Sequence, residues 1–194
     1  MNKFRLEAMS DGIFAIIITV MLLELKIPEG YDLYALKDEL NLIFSYILSF
    51  IYVGIYWNNH HHLFLVVNNI NGKILWTNLH LMFWLTMIPL STGWSAHTHY
   101  APIPTAIYAL ILCMCSLSYR LLEQIISRNE GENSLAAKLL TKDTKLSISV
   151  VLYGMSIFLS FIETKFTLFI LGVLAILWFF PNKHIEDYYS EKQE

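Results

Sequence analysis

Long apolar runs, separated by short polar breaks, fill most of the chain. A helix that crosses a bilayer needs about 20 mostly apolar residues. The chain has six runs near that length, at about 9–27, 40–67, 74–94, 103–122, 146–162 and 166–180. Proline, glycine and asparagine punctuate the breaks, and the longest polar connection, residues 123–145, has room for a short surface helix. The pattern predicts an all-α integral membrane protein, with residues 1–194 forming a single domain of six transmembrane helices.

Composition and charge agree with a membrane protein. The chain is 56% hydrophobic and only 15% charged, with a mean hydropathy of +0.49, whereas soluble domains carry about 25% charged residues. A net charge of -3 argues against a nucleic-acid partner, which requires a basic face. Cys113 and Cys115 lie together in one apolar run, so they predict neither a disulfide framework nor a metal site. We expect no cofactor.

The lysine and arginine positions predict the orientation. Cytoplasmic segments carry an excess of these residues, and an even number of spans places both termini on one side. Ten of them then fall on the side of the termini: Lys3, Arg5, Lys73, Arg120, Arg128, Lys138, Lys142, Lys145, Lys183 and Lys192. Only Lys26, Lys37 and Lys165 fall on the other side. We therefore expect a multi-pass protein of the cell membrane with cytoplasmic termini.

The first apolar run is expected to be retained. Lys3 and Arg5 resemble the basic start of a signal peptide, but Glu7 and Asp11 interrupt the approach to its apolar core. No small-x-small cleavage site follows. The first run is therefore interpreted as a transmembrane helix.

Several polar residues stand where lipid would reject them. A charge at mid-bilayer costs about 2.5–3.5 kcal/mol on insertion scales. Arg5 has the length to reach the headgroups, but the short side chain of Asp11 does not, so Asp11 is expected to pair inside the bundle. On the predicted topology its candidate partners are Arg5, His60, His61 and Asn78.

The His60-His61-His62 run invites a metal interpretation. Consecutive helical side chains point about 100° apart, so three in a row do not converge on one ion. A structural hydrogen bond is the better interpretation for His60 or His61, because polar groups in lipid must be paired. The chain also lacks the G-x-S-x-G, H-E-x-x-H and phosphate-binding glycine motifs, so an enzyme is not expected.

The start of the chain resembles a known family. Arg5-Leu-Glu-Ala-Met-Ser-Asp11 is similar to the Arg-x-x-x-Phe-Ser-Asp signature of the transmembrane protein 175 potassium channels, with Met9 in place of Phe. The segment from Trp57 to Phe64 resembles that family's Trp-x-x-His-His-x-x-Phe motif. Leu75-Trp-Thr-Asn78, followed by Pro89, resembles its third helix.

This resemblance implies a pore at the centre of a homotetramer, since the chain carries one copy of the motif. The first helix would line the pore, with Ile16, Val20 and Leu23 as apolar constrictions and Thr19 as the layer that favours potassium. Val20 stands where many relatives carry Leu. The resemblance also implies a structural polar network at the cytoplasmic end, formed by Arg5, Ser10, Asp11, His60, His61 and Asn78.

The leading hypothesis is thus a potassium-preferring cation channel, a homotetramer in the lipid bilayer that conducts passively. The sequence has no Thr-Val-Gly-Tyr-Gly filter, so its selectivity should be modest. The alternative is a metal or proton-coupled ion transporter that uses the histidines. No inverted repeat is apparent to support that alternative.

Overall fold

The part of the chain that the structure describes forms a bundle of seven helical segments. The computed structural model describes residues 2–25, 27, 37, 39–131, 134 and 144–179. Its helices are α1 (Lys3–Leu23), α2 (Leu40–Leu65), α3 (Gly72–Thr86), α4 (Ile88–His97), α5 (Pro102–Glu130), α6 (Thr144–Leu159) and α7 (Thr164–Phe179). The predicted all-α membrane fold is confirmed.

Among the described residues, four stretches are long and apolar enough to cross a membrane: Lys3–Leu23, Leu40–Leu65, Gly72–His97 and Pro102–Glu130. The third stretch combines α3 and α4, which are separated at Met87. Pro89 follows that break and has no N–H for the helical hydrogen-bond ladder, which accounts for the interruption. The shorter α6 and α7 have 16 residues each and span about 24 Å.

Two helices differ from their expected bounds by more than three residues. The first helix starts at Lys3 rather than near Met9, because Asn2 caps it by accepting a hydrogen bond from the Phe4 backbone N–H at 3.1 Å. It ends at Leu23 rather than near Ile27.

The fourth expected helix is α5, which continues beyond Leu122 to Glu130. Residues 123–130 have a high helix propensity but are too polar for lipid. Hydropathy measures only how well residues fit lipid, so it did not predict this part of the helix. The short surface helix considered within 123–145 would lie mostly outside the described residues.

The packing leaves α1 at one side of the bundle. It lies against α2, α3 and α4, whereas α5 is surrounded by α3, α4, α6 and α7. In the most apolar 18-residue stretch of each helix, 28% of residues are buried in α1 and 67% in α5. Most of the surface of α1 is therefore not covered by the other described helices.

The turn between α4 and α5 uses unusual backbone conformations. His99 and Tyr100 have φ values of 50° and 59°, in the left-handed region that residues with a side chain seldom adopt. The Tyr100 hydroxyl donates to the Asn41 carbonyl at 2.8 Å, and the Asn41 side chain lies 2.9 Å from His99 Nδ1. These contacts with the start of α2 hold the turn in its strained form.

Candidate functional site

Helix α1 has two distinct faces. Its inner face carries five buried residues at helical spacing, namely Leu6, Ser10, Phe14, Ile17 and Met21. This inner face packs into the core, and Ser10 is its only polar member. Within the described ranges, the opposite face of α1 is uncovered and mainly apolar.

The predicted pore residues all lie on the uncovered face. Ile16, Val20 and Leu23 are 61%, 40% and 82% exposed. Thr19 is exposed beside them, and its hydroxyl donates to the Ile16 carbonyl at 2.9 Å. That hydrogen bond occupies the hydroxyl proton, so the oxygen lone pairs of Thr19 remain free to accept or to ligate a cation.

A buried chain of hydrogen bonds joins α1 to α2 and α3. Ser10 Oγ donates to the Leu6 carbonyl at 2.9 Å and accepts from Asn78 Nδ2 at 2.9 Å. Asn78 Oδ1 lies 2.8 Å from His60 Nε2. Because that amide oxygen can only accept, the neutral His60 ring must carry its proton on Nε2. Ser10, His60 and Asn78 are at most 2% exposed, so each side chain relies on this chain of contacts.

Aromatic rings enclose the histidine in that chain. The His60 ring stacks on Phe64, with centroids 4.5 Å apart and planes 27° apart. Phe14 meets it edge-on at 5.7 Å. Residues 60 and 64 are one helical turn apart on α2, so the stack stabilises the ring position from the same helix. The His60 orientation is therefore determined by packing as well as by its hydrogen bond.

The other three residues of the expected network lie outside this chain. Asp11 is exposed, and its Oδ1 accepts from Trp57 Nε1 at 3.0 Å. The four expected partners did not include Trp57, whose indole reaches the carboxylate from α2. Arg5 and His61 are exposed on the described chain, and the His61 ring meets His62 edge-on at 5.7 Å. The structure thus brings together three of the six residues and pairs a fourth, Asp11, elsewhere.

The histidine run does not form a metal-binding group. His60 is buried whereas His61 is exposed, as their 100° separation on a helix requires. Within the described ranges, no three His, Cys, Asp or Glu side chains gather in a way that could hold a metal ion.

A second polar contact region ties the ends of three helices together. Lys3 Nζ donates to the Val67 carbonyl at 3.0 Å. The Glu130 carboxylate accepts from the Asn68 N–H at 3.0 Å, from Asn68 Nδ2 at 2.7 Å and from the Asn69 N–H at 3.3 Å. Sequence reasoning missed this region, and the only signal for it is the asparagine-rich connection between α2 and α3.

Comparisons with known proteins place these features in one family. Residues 5–89 match the family model described as endosomal/lysosomal potassium channel TMEM175. A potassium channel of Chryseobacterium sp. (strain P1-3) is 47% identical over 186 residues, covering 96% of this chain and 97% of that protein. A potassium channel of Streptomyces collinus is 27% identical over 188 residues, covering 91% of each.

The fold comparison agrees. The crystal structure of a lysosomal potassium-selective channel TMEM175 homolog from Chamaesiphon minutus resembles this structure with a TM-score of 0.79 and 25% sequence identity. The match covers 91% of this chain and 95% of that one. The similarity therefore extends over most of the chain, well beyond the motifs at its start.

Proposed function

The chain belongs to the TMEM175 potassium channel family, and from that membership we propose that it forms a potassium-preferring cation channel. Four copies assemble around a central axis, and α1 of each copy lines the pore. Potassium ions cross the bilayer passively, down their electrochemical gradient.

The observation that carries this proposal is the uncovered apolar stripe of α1. This stripe, formed by Ile16, Val20 and Leu23, points away from its own bundle. The inner face of the same helix carries Ser10, which belongs to the buried polar chain. Four such stripes facing one axis would form apolar rings. A narrow apolar ring excludes water and hydrated ions, and a small rotation of the helices opens it.

Thr19 supplies the polar element of this pore. Its hydroxyl proton is directed back to the Ile16 carbonyl, which leaves oxygen lone pairs on the uncovered side. Four such oxygens around an axis replace part of the hydration shell of a potassium ion. A side-chain layer of this kind discriminates less strongly than a rigid filter of backbone carbonyls, so we expect a modest preference for potassium over sodium.

The buried chain of Ser10, Asn78 and His60 positions the pore helix. It fixes the rotation of α1 about its own axis, because Ser10 must face Asn78. Ile16 lies six residues after Ser10, so this contact also sets the direction of the apolar stripe. The role of the chain is structural and does not involve contact with the ion.

Charge supports cytoplasmic termini in the cell membrane. Lys3 contacts the connection that leads into α3, so Lys3 and Lys73 lie at the same end of the bundle. Arg128, near the end of α5, lies at that end as well, since Glu130 contacts the same connection. A cluster of basic residues at one end is typical of the cytoplasmic side.

Ion flux into liposomes tests the proposal. Purified protein is reconstituted with a potassium gradient, and its size is determined in the same preparation. We expect valinomycin-independent potassium flux that exceeds sodium flux, from particles of four chains. A folded tetramer without potassium flux would contradict the proposal. Flux that saturates and requires a proton gradient would instead favour the histidine-dependent transporter.

A further inference from the structure

His80 lies on an exposed face of α3, between Trp76 and Phe83, which are 73% and 53% exposed. Trp84 Nε1 donates to His80 Nε2 at 3.1 Å. An indole N–H is only a donor, so His80 Nε2 accepts and the neutral ring carries its proton on Nδ1. No residue in the described part of the chain accepts a hydrogen bond from that Nδ1–H.

The Nδ1–H of His80 lies at a depth where lipid surrounds the protein. Together α3 and α4 form a stretch of 26 residues, Gly72–His97, and His80 lies about 12 Å along it at 1.5 Å per residue. The hydrocarbon layer is about 30 Å thick, so this position falls within it and not among the headgroups. Lipid offers no acceptor there, and a second protein surface does.

Asp11 presents the complementary group at the same depth. Its Oδ1 accepts from Trp57, and no donor among the described residues reaches Oδ2. The Ser10–Asn78 hydrogen bond fixes the depth of α1 relative to α3. The two helices run in the same direction, because Lys3 at the start of α1 contacts the Val67 carbonyl just before α3 begins. Asp11 lies one residue beyond Ser10 and His80 two residues beyond Asn78, so their depths differ by about 1.5 Å.

Symmetry restricts which residues of two copies can meet. A rotation axis along the membrane normal preserves depth, so contacts between copies join residues at equal depth. Asp11 and Ile16 are five residues apart on α1, which places their side chains about 140° apart around the helix. When Ile16 faces the axis, Asp11 therefore points largely away from the axis. It also lies about 100° around the helix from Ser10, which faces Asn78 of its own chain, so the exposed side of Asp11 is open to the next copy.

We propose that Asp11 of each copy accepts a hydrogen bond from His80 Nδ1 of the neighbouring copy, with a second copy of this chain as the occupant of the exposed α3 face. The inference rests on the proposed ring of four. It makes Asp11 a bridge, which holds Trp57 of its own chain through Oδ1 and the neighbouring His80 through Oδ2. The four bridges form a belt outside the apolar rings and tie each pore helix to the next copy.

Cross-linking tests this pair directly. Cys113 and Cys115 are first replaced by Ala, and Asp11→Cys is combined with His80→Cys. A disulfide needs Cβ atoms about 3.8 Å apart, which is shorter than a carboxylate–imidazole contact allows. A bifunctional methanethiosulfonate with a two-carbon spacer is therefore used on membranes. We expect a ladder of two, three and four linked chains.

Three controls separate the possible outcomes. The ladder should not form in three controls: Asp11→Cys alone, His80→Cys alone, and Asp11→Cys with Val151→Cys. Val151 is a matched control position, because it is exposed on α6 at a similar distance from the cytoplasmic end. An amine cross-linker applied to the unmodified chain reports the ring itself. A tetramer by that reagent without the Asp11–His80 ladder would overturn the pair alone, whereas a monomer would overturn the pair and the ring together.

A double-mutant cycle covers the case in which the cysteine variants do not fold. Asp11→Asn and His80→Phe are made singly and together, and the tetrameric fraction is measured across detergent concentrations. We expect each single change to lower the tetrameric fraction several-fold and the double change to be no worse than His80→Phe alone. Additive losses would overturn the pair.

Discussion

Replacing Asn78 with Leu removes the central member of the buried polar chain. Leu has a similar volume, so packing is nearly preserved while two contacts are lost, the one from Asn78 Nδ2 to Ser10 Oγ at 2.9 Å and the one between Asn78 Oδ1 and His60 Nε2 at 2.8 Å. Ser10 keeps its bond to the Leu6 carbonyl at 2.9 Å. His60, however, is left with a buried N–H that has no acceptor.

The loss of stability can be estimated from the hydrogen bonds that Asn78→Leu removes. An unsatisfied buried donor costs about 1–3 kcal/mol, and a side-chain hydrogen bond between membrane helices contributes about 0.6 kcal/mol on average. Asn78→Leu should therefore destabilise the protein by about 2–3 kcal/mol. For a chain of this size that corresponds to a decrease in Tm of about 5–10 °C.

Thermal stability in detergent, followed by fluorescence-detected size exclusion, measures this effect. The matched control is Thr77→Ala, because half-buried Thr77 is the preceding residue and donates only to the Lys73 carbonyl of its own helix. Ser10→Ala should lie between the two, since it removes one of the same contacts. Equal Tm values for Asn78→Leu and Thr77→Ala would refute the reasoning.

Four further changes test other parts of the structure. Ile16→Asn should wet the apolar constriction and increase basal potassium flux several-fold. The control Leu22→Asn, on another side of α1, should leave the flux unchanged. Unchanged flux from Ile16→Asn would show that Ile16 is not part of the gate. Thr19→Ala should reduce the preference for potassium over sodium, and an unaltered reversal potential would show that its hydroxyl is not a selectivity element. Asp11→Ala should reduce tetramer yield on sizing more than flux per tetramer, and a normal yield would contradict its role in assembly. Glu130→Gln should lower the Tm by a few degrees, at a cost of about 1–2 kcal/mol, because the amide has one neutral acceptor oxygen where three N–H donors now share two carboxylate oxygens. An unchanged Tm would mean that the contacts at the end of α5 contribute little.

The helices were largely predictable because hydrophobic length is a local property. The start of α2 at Leu40 and the apolar cores of the other spans follow from it directly. The extension of α5 to Glu130 could not be predicted from hydrophobic length, because a helix continues into water where its residues have a high helix propensity. The left-handed backbone at His99 and Tyr100 also escaped prediction, because it depends on contacts with Asn41, far away in sequence.

The sequence predicted some contacts of the candidate site and missed others. The motif positions predicted that Ser10, His60 and Asn78 would lie together, and the structure joins them in one chain of hydrogen bonds. The partner of Asp11 was not predicted, because an indole that reaches across from α2 leaves no charge signature in the sequence. The roles of Ile16, Val20, Leu23 and Thr19 remain predictions of the family resemblance. Their exposure on α1 is what those roles require.

Silver-ion accessibility tests the central claim that α1 faces the ion pathway. Ile16→Cys and Leu22→Cys are compared in a background with Cys113→Ala and Cys115→Ala, and potassium current is recorded before and after Ag⁺, which is similar in size to K⁺ and binds thiolates. The proposed pore predicts irreversible loss of current in Ile16→Cys and an unaffected current in Leu22→Cys. An Ile16→Cys current that survives silver would mean that this face of α1 meets lipid instead of the permeating ion.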